Sequence, residues 1–394
     1  ISINADVSTT TGNISISNAQ TVDVNSNLTA ATDLAISNVT VDLQLQAGST
    51  LSSTGDLDLS ASVADIILDG TGTVTLDQND ATKSLQLSSV ADTVDASTTD
   101  LTLTAEGNIS TDSIDLLDGG TNDGTLDITL DGAAAKTLSI NNIISNVDTL
   151  LVTGTGTDDT IDINADITTT NGGITITDVI EVQLDTSSDI DLIAGGGDLN
   201  ISTAVTGILL DNGSGLATLS ANADSDVNVA PISSDTGDGT ASDLTLTAAG
   251  SITTDTISLN DGLDGSLTIT VDSDDAGLAE TLTLGGDITN VADATLSGSS
   301  NNDTLDINAN ITTTTGTLTL QNALLADLAA GVALSGSSIA ADSTTDNLST
   351  IELSGTGTNT LTATAGDIRL ASIDDSADAS LSVSATNDVT LDNV

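Results

Sequence analysis

A turn residue followed by apolar, polar, apolar recurs down the chain: GNISI from Gly12, GDLDL from Gly55, GTVTL from Gly72, GTLDI from Gly124, GGITI from Gly172, GDLNI from Gly197, GSLTI from Gly265 and GTLTL from Gly316. Period-2 alternation over so few residues, bounded by Gly and Asx, predicts short β-strands. One face of each turns inward and the other carries Thr, Ser, Asp or Asn to water. Gly and Asx are expected at the corners, where the chain needs positive φ.

Strands this short cannot bury an apolar face alone. Coils stacked about 4.8 Å apart bury it continuously and pair each backbone group with the coil above and below. The pattern therefore predicts an all-β parallel β-helix, a β-solenoid of about 20 coils at roughly 20 residues each. A string of β-sandwich modules is the alternative, since it also gives alternating strands. Sandwich modules usually bury an aromatic side chain, and the chain contains no Phe, Trp or Tyr. Stacked Ile, Leu, Val and Ala suit a narrow coil better. One stretch departs from the pattern: Ala323 to Leu334 (ALLADLAAGVAL) reads as helical at its start, a short cap or side helix, or else as an Ala-rich coil face.

Longer repeats overlie the short one. Asp159 to Thr170 (DTIDINADITTT) matches Asp303 to Thr314 (DTLDINANITTT) at ten of twelve positions, 144 residues apart, and the opening ISINADVSTTTG is a third copy. A second marker, Asp100 to Leu116, recurs at Asp243 to Leu259 with twelve of seventeen identical, and in worn form from Leu361. The distance between the two markers shrinks from 100 to 83 to 56 residues, so blocks of 17 and 27 come and go, about the size of one coil or one and a half. We read 1–394 as one continuous solenoid excerpt with irregular internal repeats 1–160, 161–304 and 305–394.

Composition narrows the chemistry. The chain has no Cys, Met, His, Trp, Tyr or Phe, and 58 acidic residues against only Lys83, Lys136 and Arg369 give a formal charge of −55. Its 38% hydrophobic content suffices for a folded core and argues against disorder. The charge disfavours nucleic acid and anionic membrane as partners, and mutual carboxylate repulsion favours salt or divalent cations. No apolar run is long enough to span a bilayer, so no membrane insertion is expected in this segment. With no disulfides, the fold must hold by hydrogen bonds and apolar stacking alone.

The GDLxL and LTLTAxGxI runs resemble those of filamentous-haemagglutinin-like adhesins and other large repetitive bacterial cell-surface proteins. The resemblance implies a right-handed β-helix and an exported surface fibre. The composition also resembles that of crystalline surface-layer proteins. Asp158-Asp159-Thr160-Ile161 and Asn302-Asp303-Thr304-Leu305 resemble half of a calcium-binding nonapeptide repeat, although the Gly-Gly-x-Gly-x-Asp half is missing. Asp158, Asp159, Asn302 and Asp303 are thus the candidate ligands and Ca2+ the candidate ion, against solvated Asx turns as the plainer reading. Asp115 to Asp123 and Asp272 to Asp275 carry the same two readings.

Other motifs point nowhere firm. Threonine pairs such as those in Leu101 to Thr104 and Ile174 to Thr177 could form an ice-binding face, but they are scattered along the sequence. Gly195 to Gly197 precedes a strand and lacks the following Lys of a phosphate loop. A sugar-cleaving carboxylate pair would need an aromatic platform or a basic group to hold its substrate. The expectation is a non-enzymatic extracellular structural protein, a stiff repeat segment of a cell-surface fibre, filament or lattice that associates end to end or laterally. The alternative is the stalk or passenger of an adhesin that binds cell-surface components of another cell.

Overall fold

A computed structural model describes residues 1–392 apart from 61–62, 93–97, 118–122, 156–157, 186, 205, 212–214, 223–224, 236–240, 261–262, 276 and 300–301. All described elements are strands, stacked in parallel as a β-solenoid of about 15 turns in all. Parallel stacking rules out the sandwich alternative, whose sheets are antiparallel. The chain divides into two compact units, Ile1–Gln183 with Thr203–Thr206, and Leu184–Ser202 with Gly207–Val394.

Each coil contributes strands to three faces in order. In the first unit Thr99–Ala105 lies on the first face, Asn108–Thr111 on the second and Ile114–Asp115 on the third. Inward residues stack in columns. Leu51, Leu76, Leu103, Ile128, Val152 and Ile176 are partners in successive coils, and all are fully buried. In the second unit Leu219, Leu246, Ile269, Leu296 and Leu320 do the same on the third face. Each buried Leu or Ile is worth about 1.5–3 kcal/mol relative to exposure. These β-branched and γ-branched aliphatics fill the coil without an aromatic.

Most coils are larger than 20 residues, which is why there are fewer of them. Leu28 pairs with Leu51, 23 positions on; Leu51 with Leu76, 25 on; and Leu76 with Leu103, 27 on. The blocks of 27 and 17 that separate the sequence markers thus correspond to about one coil and about two faces of one. Three-strand coils also explain the long repeats. The opening copy's Ser2–Ile3 stands in the third-face ladder, and so does Ile167–Thr169, which is the second strand of its copy at Asp159. In the second unit Leu361 shares a ladder with Ile257, the last strand of the earlier copy of its marker, whereas Ile368 shares one with Leu244, the first strand of that copy. Copies are displaced by one face within each unit, so the repeating element is a strand with its corner and not a whole coil.

Ala323–Leu328 is a strand, contrary to the helical reading. Its residues pair with Thr304–Ile307 on one side and Thr350–Leu353 on the other, and this two-sided ladder outweighs the helix propensity of Ala and Leu.

The corners hold a device that links coil to coil. An Asx side chain just before a strand accepts the N–H of the corresponding residue one coil later. Asp56 N donates to Asp33 Oδ1 (3.1 Å) and Ser84 N to Asp56 Oδ1 (3.0 Å) in the first unit. Asp226 N donates to Asp198 Oδ1 (3.0 Å) and Ser251 N to Asp226 Oδ1 (2.8 Å) in the second. Asn serves equally: Asn310 N donates to Asp287 Oδ1 and Ala333 N to Asn310 Oδ1, both at 2.8 Å.

The corner glycines follow from this contact. A Cβ on Gly250 would lie 2.6 Å from Asp226 Oδ1, and Gly55 and Gly316 are approached more closely still by Asp33 and Asp293. None of the three has positive φ, so close approach selects Gly at these positions, whereas Gly72 (132°) and Gly207 (112°) meet the expected dihedral need. Positive φ falls mostly on Asx instead, as at Asn18 (58°) and Asn38 (53°), where long strands bend from the second face to the third and Asn38 Nδ2 donates to Asn18 Oδ1.

Asp226→Ala removes the acceptor for a partly buried amide and should lower stability by about 1 kcal/mol in urea unfolding followed by circular dichroism. Asp226→Asn keeps the acceptor and drops a charge, so it should be at least as stable as the parent.

Candidate functional site

The sequence-predicted ligands lie one pair in each unit, and the two acidic members have the same construction. Asp159 and Asp303 are fully buried. Oδ1 of each accepts an amide 23 residues earlier, from Lys136 (2.9 Å) and Glu280 (3.2 Å). Oδ2 of each packs under a glycine five residues earlier, 2.9 Å from where a Cβ on Gly154 would lie and 2.7 Å for Gly298. Asp303 Oδ2 also accepts the Ser299 amide at 3.0 Å. Their main-chain oxygens accept Ile180 N and Leu324 N from the following coil. Asp158 points to water, and Asn302 Nδ2 donates to Leu278 O at 2.6 Å. The two buried carboxylates knit three coils together. The loop residues 156–157 and 300–301 lie outside the described residues.

Among the described residues no group of three or more acidic side chains is gathered to hold a metal ion. Asp115 accepts Leu117 N and Asn146 Nδ2, and 118–122 of that run lie outside the described residues. Asp272 is buried at a turn closed by Asp275 N to Asp272 O, with positive φ at both residues.

Two arrangements escaped sequence reasoning. The first is a latch near the end of the second unit. Arg369, paired in register with Ala340, places Nη1 3.0 Å from Asp342 Oδ2 and Nη2 3.4 Å from Asp346 Oδ2. Both carboxylates are nearly buried. Burial pushes Asp342 up, but amide and hydroxyl donors of Thr345 and Thr344 and the guanidinium outweigh it, so Asp342 titrates below its ordinary value. Asp346 is pushed up, mainly by burial; the Asp342 amide and Arg369 oppose this, while the carboxylates of Asp342 and Asp392 add to it. Asp392 itself accepts the amide and hydroxyl of Ser343, both at 2.7 Å. The signal available in sequence was the lone Arg369 and the DSTTD run at Asp342.

The second is a groove of about 410 Å³ on the second face of the first unit. Its floor is formed by outward residues of three successive coils: Ser84 and Gln86, Asn108 and Ser110, and Thr137 and Ser139. Asp56, Thr82 and Lys83 close one side, with Lys83 Nζ 3.3 Å from Asp56 Oδ2.

No family model, curated protein or solved structure matches the chain. Its function must therefore be argued from this geometry. Of the threonines named from sequence, Thr102 and Thr175 share a column broken by Asp127 and Leu151; on another face Thr218, Thr245, Thr268, Thr295 and Thr319 do form one outward ladder. The neighbouring column runs Ser220, Thr247, Thr270, Ser297 and Gln321, and Ser297 is buried with its hydroxyl on Gly298 O, so the second column is interrupted. No described helix is long and apolar enough to cross a membrane.

The latch has a signed pH dependence. Asp342, with a lowered pKa, contributes stability that is present above about 3.8 and lost as pH falls through its folded value; Asp346, with a raised pKa, favours the fold when protonated and loses that contribution as pH rises above 3.8. Asp342→Asn should therefore destabilise at neutral pH and Asp346→Asn should stabilise; in paired urea titrations the Asp346 difference should vanish below about pH 3.8 and the Asp342 difference only once pH falls through its lowered folded value.

Proposed function

We propose that the chain is a non-enzymatic extracellular structural protein, a repeat segment of a cell-surface fibre, filament or lattice. The observation that carries this reading is the repetition from coil to coil: Asx acceptors for the next coil's amide and stacked aliphatic columns recur in each unit. A structure of this kind grows by adding coils without redesigning any of them. Its outward positions are mostly Thr, Ser, Asp and Asn, a hydrated surface suited to a saline exterior. Apolar residues at the strand edges of the first and last coils, Ile1, Val7, Val389 and Leu391, are 60, 41, 46 and 40% exposed. A further coil stacked on such an edge, from the same polypeptide or from another copy, would cover them. The solenoid architecture is compatible with the adhesins the sequence resembles, and a stalk would use the same construction.

Electron microscopy of the purified chain, with calcium and again after chelation, tests the proposal. Filaments or sheets are expected; their loss on chelation would bring Asp158, Asp159, Asn302 and Asp303 back as ion ligands. Isolated particles under both conditions would remove self-assembly and leave the stalk reading.

A further inference from the structure

The second-face groove has features that stacking alone does not require. Three successive corners lead onto this face, and they differ in length. The middle one is only Glu106–Gly107, between strands ending at Ala105 and starting at Asn108. Its neighbours are longer, 79–83 and 131–136. The two long corners reach across the short one, where Lys136 Nζ donates to Ala81 O at 2.5 Å.

The overhanging loop 79–83 is cross-braced by hydrogen bonds. Asp80 Oδ1 accepts the amide and hydroxyl of Thr82, each at 2.8 Å, and Asp80 O accepts Lys83 N. Gln78, fully buried, donates to Asp80 O (2.9 Å) and Gly55 O (3.3 Å) and accepts Gly107 N (3.0 Å), tying the loop to the coils on either side. A preorganised wall over a polar floor lowers the ordering cost of binding. Two of the three basic residues of the chain, Lys83 and Lys136, lie in these two corners.

We propose that this groove binds a neutral, hydroxyl-rich saccharide segment of one or two rings. Its volume lies within the range of small-molecule sites. The floor offers hydroxyls and carboxamides in rows about 4.8 Å apart, the coil spacing. Asn108 illustrates the donor supply: its Oδ1 is taken by Thr137 N at 3.1 Å, and its exposed amide group faces outward with hydrogens to give. Such a lining rejects apolar ligands, which would leave these groups unpaired. Asp56 neutralises Lys83, and the surrounding charge of −55 repels anions, so an uncharged polyol is favoured over an acidic sugar. With no aromatic platform, affinity for one site should be on the order of 1 mM.

The test is a titration of the isotope-labelled full chain with cellobiose, maltose and N,N′-diacetylchitobiose, followed by amide chemical shifts, with cellobiouronic acid as the anionic comparator. Saturable shifts confined to 84–86, 108–110 and 137–139 are expected for at least one neutral disaccharide. Gln86→Ala, at an exposed position, should weaken binding about tenfold, and Ser110→Leu should abolish it, whereas Thr175→Leu on the first face should change nothing. The proposal is overturned by an absence of saturable shifts with all three neutral sugars, by binding that survives Ser110→Leu, or by tighter binding of the acidic disaccharide.

Discussion

Everything in this protein depends on the inability of one coil to bury its own apolar face. A coil carries a few aliphatic side chains on each of three short strands and has no aromatic ring with which to close a core. Leu76 is dry only because Leu51 and Leu103 lie against it in the coils on either side. The same stacking pairs the backbone, so hydrogen bonding and apolar burial are satisfied together or not at all. Stability is consequently a nearest-neighbour property, which lets coil size vary from Ile14 to Leu34, 20 residues on, to Ile257 and Ile288, 31 apart, while the inward columns persist.

The strong acidity follows in part from the corners. Where the chain turns, the first amide of a strand needs an acceptor, and an Asp or Asn one coil earlier provides it. Each such carboxylate is close to the next coil's backbone, which leaves room for no Cβ and selects Gly at positions such as Gly250 and Gly316. Composition, turn and stacking are thus one arrangement. Its cost is repulsion among carboxylates along the ladder, a cost that salt screens. Asp159 and Asp303 are the buried form of the same device, reaching back to the preceding coil.

Departures from the regular coil are informative because the scaffold does not need them. The latch of Arg369 with Asp342 and Asp346 and the paired long corners that hold Lys83 and Lys136 together use all three basic residues of the chain. Neither adds to the aliphatic columns. In a surface whose outward positions are mostly short and polar, these are places where chemistry distinct from stacking is concentrated.

The sequence by itself determined the strands and their inward and outward positions, because alternation along a strand is local; the lack of aromatics favoured parallel coils over sandwich modules, and the observed pairing decided between them. The marker at Asp159 and the GDLDL run at Gly55 were legible as corner and strand. The residues each corner faces were not. The number of faces, the larger coil, the strand at Ala323–Leu328, the role of Gly55 and the burial of Asp159 all depend on a partner 20 to 31 positions away, and the stacking register decides which residue that is. The groove was illegible for the same reason: its floor joins Gln86, Ser110 and Ser139, which no local pattern connects and only the ladder brings side by side.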